Sequence, residues 1–188
     1  MNTVKQENIY TADEFLAMTD LPERCELIDG EIYDMAPSPN FEHQNISIRL
    51  ARRIGDYIDA NHGKCIVLTA PFDVKLDEYR IVQPDILVVC DPDKFDKNKC
   101  NGAPDWVIEV LSPSNILHDT NTKLYLYAAS GVREYWIVDP ENKKVIVYLF
   151  GKPNIIGLYT FEDDIPVTIY KDAPVPLNIR LSDILPEK

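Results

Sequence analysis

The sequence predicts a mixed α/β domain in which helices pack against a central β-sheet. Three observations support this. Apolar residues recur at helical spacing over residues 41–61, short β-branched or aromatic segments follow over 65–111, and a second helical segment, 119–129, precedes another pair of strands. With 45% hydrophobic residues in 188, the chain has enough apolar surface for a core. We expect one domain over residues 1–188, with 151–188 as a C-terminal β-rich extension.

The N-terminal part predicts a short capped helix, a hairpin and a long helix. Thr11 precedes a group of apolar residues that ends before Pro22, which is typical of a capped helix lying over the core. Asp29-Gly30 separates two short apolar segments and indicates a tight hairpin turn. The long helix is predicted over 41–61, and its apolar positions are Ile46, Leu50, Ile54, Tyr57 and Ile58.

The middle and C-terminal parts predict a β-rich region interrupted by one helix. We expect the four strands of the middle region to form one sheet, at 65–68, 72–76, 83–89 and 106–111. The helix at 119–129 has Gly131 just past its end, a common termination signal. A further strand pair is predicted at 134–138 and 145–150. The proline-punctuated remainder predicts edge strands or a partner surface.

The charge balance of the chain limits how it could bind nucleic acid. Nineteen basic against thirty-one acidic residues give a net charge of −12, which excludes a non-specific DNA-coating protein. Nucleic-acid binding would need bound cations or a local basic patch. The candidates for such a patch are Arg49, Arg52 and Arg53, or Lys94, Lys97 and Lys99, although ordinary surface charge is the better explanation for each of them individually.

The location and redox state of the chain are also predicted from the sequence. No apolar run approaches the roughly 20 residues of a membrane helix, and the polar N-terminus lacks the apolar region of a secretory signal. We therefore expect a cytoplasmic protein with no membrane association. The four cysteines, Cys25, Cys65, Cys90 and Cys100, form no CxxC pair, and we expect all four to be reduced thiols.

Two acidic residues interrupt apolar strands. Asp85 follows Pro84 at the start of an apolar run, and Glu109 lies within the apolar segment 106–111, where an uncompensated carboxylate would be costly. If the two strands are neighbours, the carboxylates can converge. Such a pair suits a hard divalent cation such as Mg²⁺ or Mn²⁺. The alternative is a pair of strand-end acids that meet Lys or Arg side chains.

The next helix carries a lysine that can reach these acids. Asp119, Lys123 and Tyr127 are spaced at i, i+4 and i+8, so they share one face of a helix. Lys123 beside two metal-binding carboxylates could orient a water or stabilise charge on a phosphate. The alternative is an Asp119–Lys123 ion pair on the surface.

These motifs, in this order, resemble a known family. Over roughly residues 10–150 the chain is similar to the Uma-type putative restriction endonuclease family of the PD-(D/E)XK nuclease superfamily. The resemblance implies a restriction-endonuclease-like mixed central sheet flanked by helices. The motifs that carry it are Glu26-Leu27-Ile28-Asp29-Gly30-Glu31, Pro37-Ser38-Pro39 to His43, Pro84-Asp85, Glu109-Val110-Leu111-Ser112-Pro113-Ser114, Asp119 with Lys123 and Tyr127, and the segment from Gly131-Val132-Arg133-Glu134-Tyr135-Trp136 to Asp139-Pro140.

By this resemblance Asp85 is the first metal-binding acid and Glu109 the second. The superfamily pattern expects Lys two residues after Glu109, where this chain has Leu111, and the resemblance makes Lys123 the replacement. Glu26 and His43 are implied as an additional acid and as a contact to water or phosphate. Glu26 could instead be a surface charge of the hairpin, and His43 could cap the first turn of the long helix.

We therefore expect a Mg²⁺- or Mn²⁺-dependent endonuclease that hydrolyses phosphodiester bonds in nucleic acid, with DNA as the expected substrate. We also expect it to act as a homodimer. The main alternative is a catalytically inactive nuclease-like binding or assembly module, favoured by the acidity, by Leu111 and by the proline-rich end. A serine hydrolase using Ser112 or Ser114 with His118 and Asp119 is disfavoured because the sequence has no GxSxG motif.

Overall fold

The computed structural model describes residues 9–22, 24–35, 39–112, 118–151 and 153–185. Within these ranges the α-helices are α1 (Ala12–Ala17), α2 (Phe41–Ala60), α3 (Leu124–Ser130) and α4 (Leu181–Ile184). The strands are β1 (Cys25–Ile28), β2 (Glu31–Asp34), β3 (Ile66–Thr69), β4 (Asp73–Asp77), β5 (Arg80–Val82), β6 (Ile86–Val89), β7 (Lys99–Asn101), β8 (Trp106–Val110), β9 (Glu134–Asp139), β10 (Lys144–Leu149), β11 (Ile155–Thr160), β12 (Ile165–Pro166) and β13 (Asn178–Ile179).

The strands form two larger sheets and one small one. The main sheet has six strands in the order β11-β10-β9-β8-β6-β3, in which β8 and β9 are parallel and the other pairs antiparallel. A second sheet has the order β2-β1-β5-β4-β7, and β12 pairs with β13. The prediction of a mixed α/β fold with helices flanking a central sheet is confirmed.

The prediction that the middle strands form one sheet is wrong. The structure places β4 in the five-stranded sheet and β3, β6 and β8 in the main sheet. The predicted strand at 83–89 also divides, because β5 ends at Val82 and β6 begins at Ile86. Pro84 lies in the gap and has no N–H to donate to a strand ladder. The chain leaves one sheet there and enters the other, and Asp85 lies at this crossing.

The predicted helices and hairpin are confirmed, with small changes at their ends. Thr11 and Glu14 form a capping box at the start of α1. Asp29 and Gly30 both have positive φ, at 52° and 83°, as the tight hairpin turn between β1 and β2 requires. The second predicted helix begins as a π-helical turn, His118–Lys123, and continues as α3 up to Gly131, whose φ is 94°.

The main sheet is covered on both faces. One face packs against α2 through Ile46, Leu50 and Ile54, which belong to the same buried cluster as Trp106 and Trp136. The opposite face packs against α3 and the five-stranded sheet, in a cluster that contains Tyr127, Tyr135, Val74, Val82 and Val107. Strands β6 and β8 are therefore buried on both sides, so any charged residue on them needs specific partners.

Of the remaining C-terminal strands, β12 and β13 form a separate pair whose Ile165 and Ile179 are buried in the same cluster as Trp106, so the expectation of edge strands holds for β11. β11 pairs with β10 and forms one edge of the main sheet. In the described ranges no helix is both long and apolar enough to cross a membrane.

The expectation of four reduced cysteines is wrong. Cys65 and Cys90 form a disulfide, whereas Cys25 and Cys100 are free and buried. The antiparallel register pairs Ile66 with Val89, and the next position along places Cys65 opposite Cys90. Twenty-five residues separate the two cysteines, so their proximity depends on strand register, which cysteine spacing does not reveal. Burial raises the pKa of Cys100 to about 11, which keeps that thiol protonated.

Another buried acid, Glu134 on β9, lies apart from the candidate site residues. Its Oε1 accepts a hydrogen bond from Trp136 Nε1 at 2.7 Å, and its Oε2 accepts one from the Ile169 N–H at 3.1 Å. Burial nevertheless raises the pKa of Glu134 to about 7, because desolvation disfavours the charged carboxylate.

Glu134 is expected to make the stability of the fold depend on pH. Between pH 4.5 and 7 the unfolded chain loses the Glu134 proton while the folded chain keeps it, so its contribution to stability falls as pH rises. From pH 5 to pH 8 the free energy of unfolding of the wild type should fall by about 2–3 kcal/mol relative to Glu134→Gln. Urea unfolding of both proteins at the two pH values measures this, and a pH-independent difference would contradict it.

Candidate active site

Asp85 lies where the chain crosses between the sheets, and it joins three elements. Its Oδ2 accepts a hydrogen bond from the Val110 N–H at 2.8 Å and lies 2.9 Å from His43 Nε2. The residue is 9% exposed, and His43, in the first turn of α2, is 6% exposed. Asp85 therefore links the start of β6 to the end of β8 and to α2.

Glu109 lies on the neighbouring strand β8 and faces the same point. Strands β6 and β8 pair antiparallel, and the Asp85 N–H donates to Glu109 Oε2 at 3.2 Å. The two acids thus converge, as their positions on alternating strands predict. Glu109 is 2% exposed, so its charge requires compensation from within the protein.

Lys123 and Tyr127 provide this compensation. Lys123 Nζ lies 2.9 Å from Glu109 Oε1 and 3.1 Å from Glu26 Oε1, and the Tyr127 O–H donates to Glu109 Oε1 at 2.8 Å. Lys123 is 1% exposed, so it is not a surface residue; the Asp119 side chain, its alternative partner, lies outside the described residues. Lys123 thus places a lysine beside the acids, although position 111, where the sequence pattern expects one, is occupied by Leu111.

Glu26 and His43 both belong to this cluster. Glu26 is 1% exposed and also accepts a hydrogen bond from the Gln83 N–H at 2.9 Å, so it is not a surface charge of the hairpin. The His43 ring contacts Asp85. The alternative that His43 caps the first turn of α2 is wrong, because the cap is Asn40, whose side chain accepts a hydrogen bond from the His43 backbone N–H. The structure thus brings together all five residues singled out from the sequence: Glu26, His43, Asp85, Glu109 and Lys123.

Sequence reasoning placed Tyr127 on the same helical face as Lys123 but gave it no role. Burial raises the pKa of Tyr127 well above the usual 10, and the nearby Glu109 charge adds to this effect. The phenol therefore remains protonated and acts as a hydrogen-bond donor to Glu109 across the physiological pH range. The spacing of four residues between Lys123 and Tyr127 was the signal for this role.

A cleft of about 310 Å³ leads from the surface to Asp85 and His43. Glu109 and Lys123 are buried and are not among the residues that line the cleft. Sequence reasoning did not predict this cleft, because its walls come from segments far apart in the chain. The lining residues are Arg24, Pro39, His43, Gln44, Ser47, Ile48, Thr69, Ala70, Pro71 and Asp85.

The donor set in this cluster fits a hard divalent cation with a partly hydrated coordination shell. Within the described part of the chain, no group of three or more His, Cys, Asp or Glu side chains is arranged as a metal site. Mg²⁺, however, is commonly held by one or two carboxylates together with waters and substrate phosphates. Asp85 Oδ1 accepts no hydrogen bond from the described residues, and the side chain lines the cleft. Asp85 and Glu109 are therefore the residues that could hold such an ion.

The other candidates from the sequence lie elsewhere. Arg49 donates to Asn45 and to the Ile184 carbonyl, and the exposed Arg52 pairs with Asp56. Neither basic group predicted from the sequence lines the cleft. For the serine hydrolase alternative, Ser114 and the side chains of His118 and Asp119 lie outside the described residues.

Comparison with known proteins gives three findings. The Uma2 family, described as a putative restriction endonuclease, matches residues 12–166. An uncharacterized protein of Synechocystis sp. is 29% identical over 128 residues, which are 67% of this chain and 66% of that protein. The chain thus covers just under two thirds of that relative. The crystal structure of a putative nuclease belonging to DUF820 from Anabaena variabilis has a TM-score of 0.75 at 21% identity, covering 93% of this chain and 96% of that one.

Proposed function

Because the chain belongs to the Uma2 family of putative restriction endonucleases, we propose that it is a metal-dependent endonuclease that hydrolyses phosphodiester bonds in DNA. The observation that supports this most strongly is the convergence of Asp85, Glu109 and Lys123 within an apolar sheet. An inert domain has no need for three buried charges at one point, since burying them is costly.

In this proposal Asp85 and Glu109 hold Mg²⁺ or Mn²⁺ at the inner end of the cleft. When bound, the ion supplies Lewis-acid stabilisation of the phosphate and lowers the pKa of a coordinated water. The −12 charge of the chain then no longer opposes substrate binding at the site, because a bound cation reverses the local potential.

The chain's own residues position these two carboxylates. Lys123 and Tyr127 both donate to Glu109 Oε1, which fixes its orientation and leaves Oε2 directed toward Asp85. His43 and the Val110 N–H hold Asp85 Oδ2, so Oδ1 is the oxygen that remains for a ligand. Lys123 also balances the charge of Glu26. We therefore assign Lys123 a positioning role toward Glu109.

The competing function is a nuclease-like module that binds but does not cut. The observation that favours it is that Lys123 is engaged by two buried carboxylates and Leu111 replaces the usual lysine. No lysine of the described residues lines the cleft. Such a module would still bind a ligand through the cleft without metal-dependent turnover.

The test is cleavage of labelled duplex, branched and single-stranded DNAs by the full chain with Mg²⁺, Mn²⁺ or EDTA. We expect cutting with either metal ion and none with EDTA. Cutting that persists in EDTA would contradict the metal-dependent mechanism. Absence of cutting on every substrate with both ions would favour the non-catalytic module.

We further propose that the enzyme is a homodimer formed through one edge of the main sheet. Strand β11 has the sequence Ile-Ile-Gly-Leu-Tyr-Thr, with none of the charges or prolines that usually protect an edge strand. Its Ile156 and Leu158 are 66% and 67% exposed, and Tyr125 on α3 is 67% exposed. With Ile155 these side chains present on the order of 500 Å², so pairing two copies would bury about 1,000 Å², the lower limit for a specific interface.

Charges introduced into this edge are expected to separate the dimer. Light scattering coupled to size exclusion should give a dimer for the wild type and a monomer for Ile156→Lys/Leu158→Glu, because charged side chains would be buried without partners. Ile66→Lys on β3, at the opposite edge of the same sheet, is the matched control and should remain dimeric. A monomeric wild type, or a dimeric double variant, would refute this interface.

A further inference from the structure

Arg24 lines the cleft but has no contact with the carboxylates of the proposed metal site. It immediately precedes β1 and lies two residues before Glu26. The residue is partly buried, and it shares the cleft wall with His43 and Asp85. In the described part of the chain its guanidinium has neither an ion-pair partner nor a hydrogen-bond acceptor.

Acidic residues are abundant in this chain, whose net charge is −12, yet none of the described carboxylates pairs with Arg24. Several other cations of the described ranges are paired with carboxylates; these pairs include Lys75–Asp13, Arg80–Asp29, Lys99–Asp96, Arg133–Asp105 and Arg180–Asp164. A guanidinium carries five N–H donors in a planar fork. Leaving them partly desolvated without an acceptor is unfavourable unless a ligand supplies one.

The rest of the cleft also favours an anion near Arg24. Pro39 and His43 also line the cleft, so the cleft lies beside the first turn of α2. This helix has 20 residues, and its N-terminal end carries partial positive charge. Asp85 is the acid that lines the cleft, and in the proposed function its charge is offset by a cation. Ile48, Ala70 and Pro71 supply apolar wall beside these polar groups.

We propose that Arg24 binds a backbone phosphate of the substrate strand, next to the phosphodiester that is cut at Asp85. This inference rests on the proposed function, since it names the contact that brings the polyanion into that same site. A phosphate is the anion that best matches the donor fork of an arginine. The strand then runs along the cleft from Arg24, past the start of α2, to Asp85.

The test is the binding of a fluorescein-labelled DNA oligonucleotide, single-stranded or duplex, measured by anisotropy in EDTA so that no metal-dependent cutting occurs. Arg24→Gln should raise Kd about tenfold and reduce the slope of log Kd against log salt by about 1, because one phosphate contact is lost. Arg52→Gln removes the same charge from an exposed site outside the cleft and should leave both quantities within twofold. Arg24→Lys, which keeps the charge but not the fork, should lie between them.

The outcomes separate this inference from the proposed function. Thermal unfolding should be nearly unchanged in Arg24→Gln, since no described contact is lost. If the wild type cuts DNA and Arg24→Gln binds like Arg52→Gln, the Arg24 contact is refuted and the nuclease stands. If binding depends on Arg24 but nothing is cut with either metal ion, the contact stands and the nuclease is refuted. A wild type that neither binds nor cuts overturns both.

Discussion

Replacing Lys123 by methionine is expected to destabilise the folded chain by about 3–5 kcal/mol. Methionine fills much of the same volume, so the loss is mainly electrostatic. Without the ammonium group, Glu26 and Glu109 would face each other as two buried carboxylates, 1% and 2% exposed, with no opposite charge between them. Chemical unfolding monitored by circular dichroism at pH 7 measures the change.

Two further variants identify the cause of this loss. Lys123→Met combined with Glu26→Gln removes one of the two buried carboxylate charges. The double variant should recover a substantial part of the lost stability. Lys144→Met removes an exposed lysine at the start of β10 and should change the free energy of unfolding by less than about 0.5 kcal/mol. A loss below about 1 kcal/mol for Lys123→Met would show that the buried ion pairs contribute little.

Replacing Asp85 by asparagine is expected to reduce metal-dependent cutting by a factor of about 100 to 1,000. Asparagine is nearly isosteric, and its amide oxygen can still accept the hydrogen bond from the Val110 N–H. The fold should therefore persist, while the anionic ligand for the cation is lost. Single-turnover cleavage of a labelled DNA in Mn²⁺, together with a thermal unfolding curve of each protein, measures both effects.

Asp56→Asn is the matched control for this prediction. Asp56 is an exposed aspartate on α2, paired with Arg52 at 3.7 Å, and its removal changes the net charge of the chain by the same amount. Cutting by Asp56→Asn should remain within about twofold of the wild type. If Asp85→Asn retained wild-type rates while folded, Asp85 would not be a metal ligand.

Local patterns predicted much of the fold because they depend on few residues. Asp29-Gly30 fits one type of tight turn, and the apolar residues of α2 repeat at helical spacing, so the hairpin and the long helix could be located without the structure. Asp85 and Glu109 could be identified because a carboxylate within an apolar strand is costly. A carboxylate within an apolar segment can be recognised from the sequence without knowing which strands are its neighbours.

The features that the sequence did not predict depend on strand order and register. The chain passes from one sheet to the other at the break at Pro84. Where the strands before and after this break lie depends on which strands they pair with. The Cys65–Cys90 disulfide depends on the Ile66–Val89 pairing. Arg24 lines the same cleft as residues of α2, a proximity that neither segment indicates alone. The pairing of Lys123 with Glu26 likewise joins residues 97 positions apart.

The central claim is that Asp85 and Glu109 together hold a divalent cation, and Mn²⁺ binding measured by calorimetry without DNA tests it most directly. Wild type, Asp85→Asn, Glu109→Gln and the exposed control Glu141→Gln should be compared at one pH and salt concentration. The account predicts a saturable Mn²⁺ site in the wild type and in Glu141→Gln, weakened at least about tenfold in both site variants. Equal Mn²⁺ affinity in all four proteins, or no binding by the wild type, would contradict it.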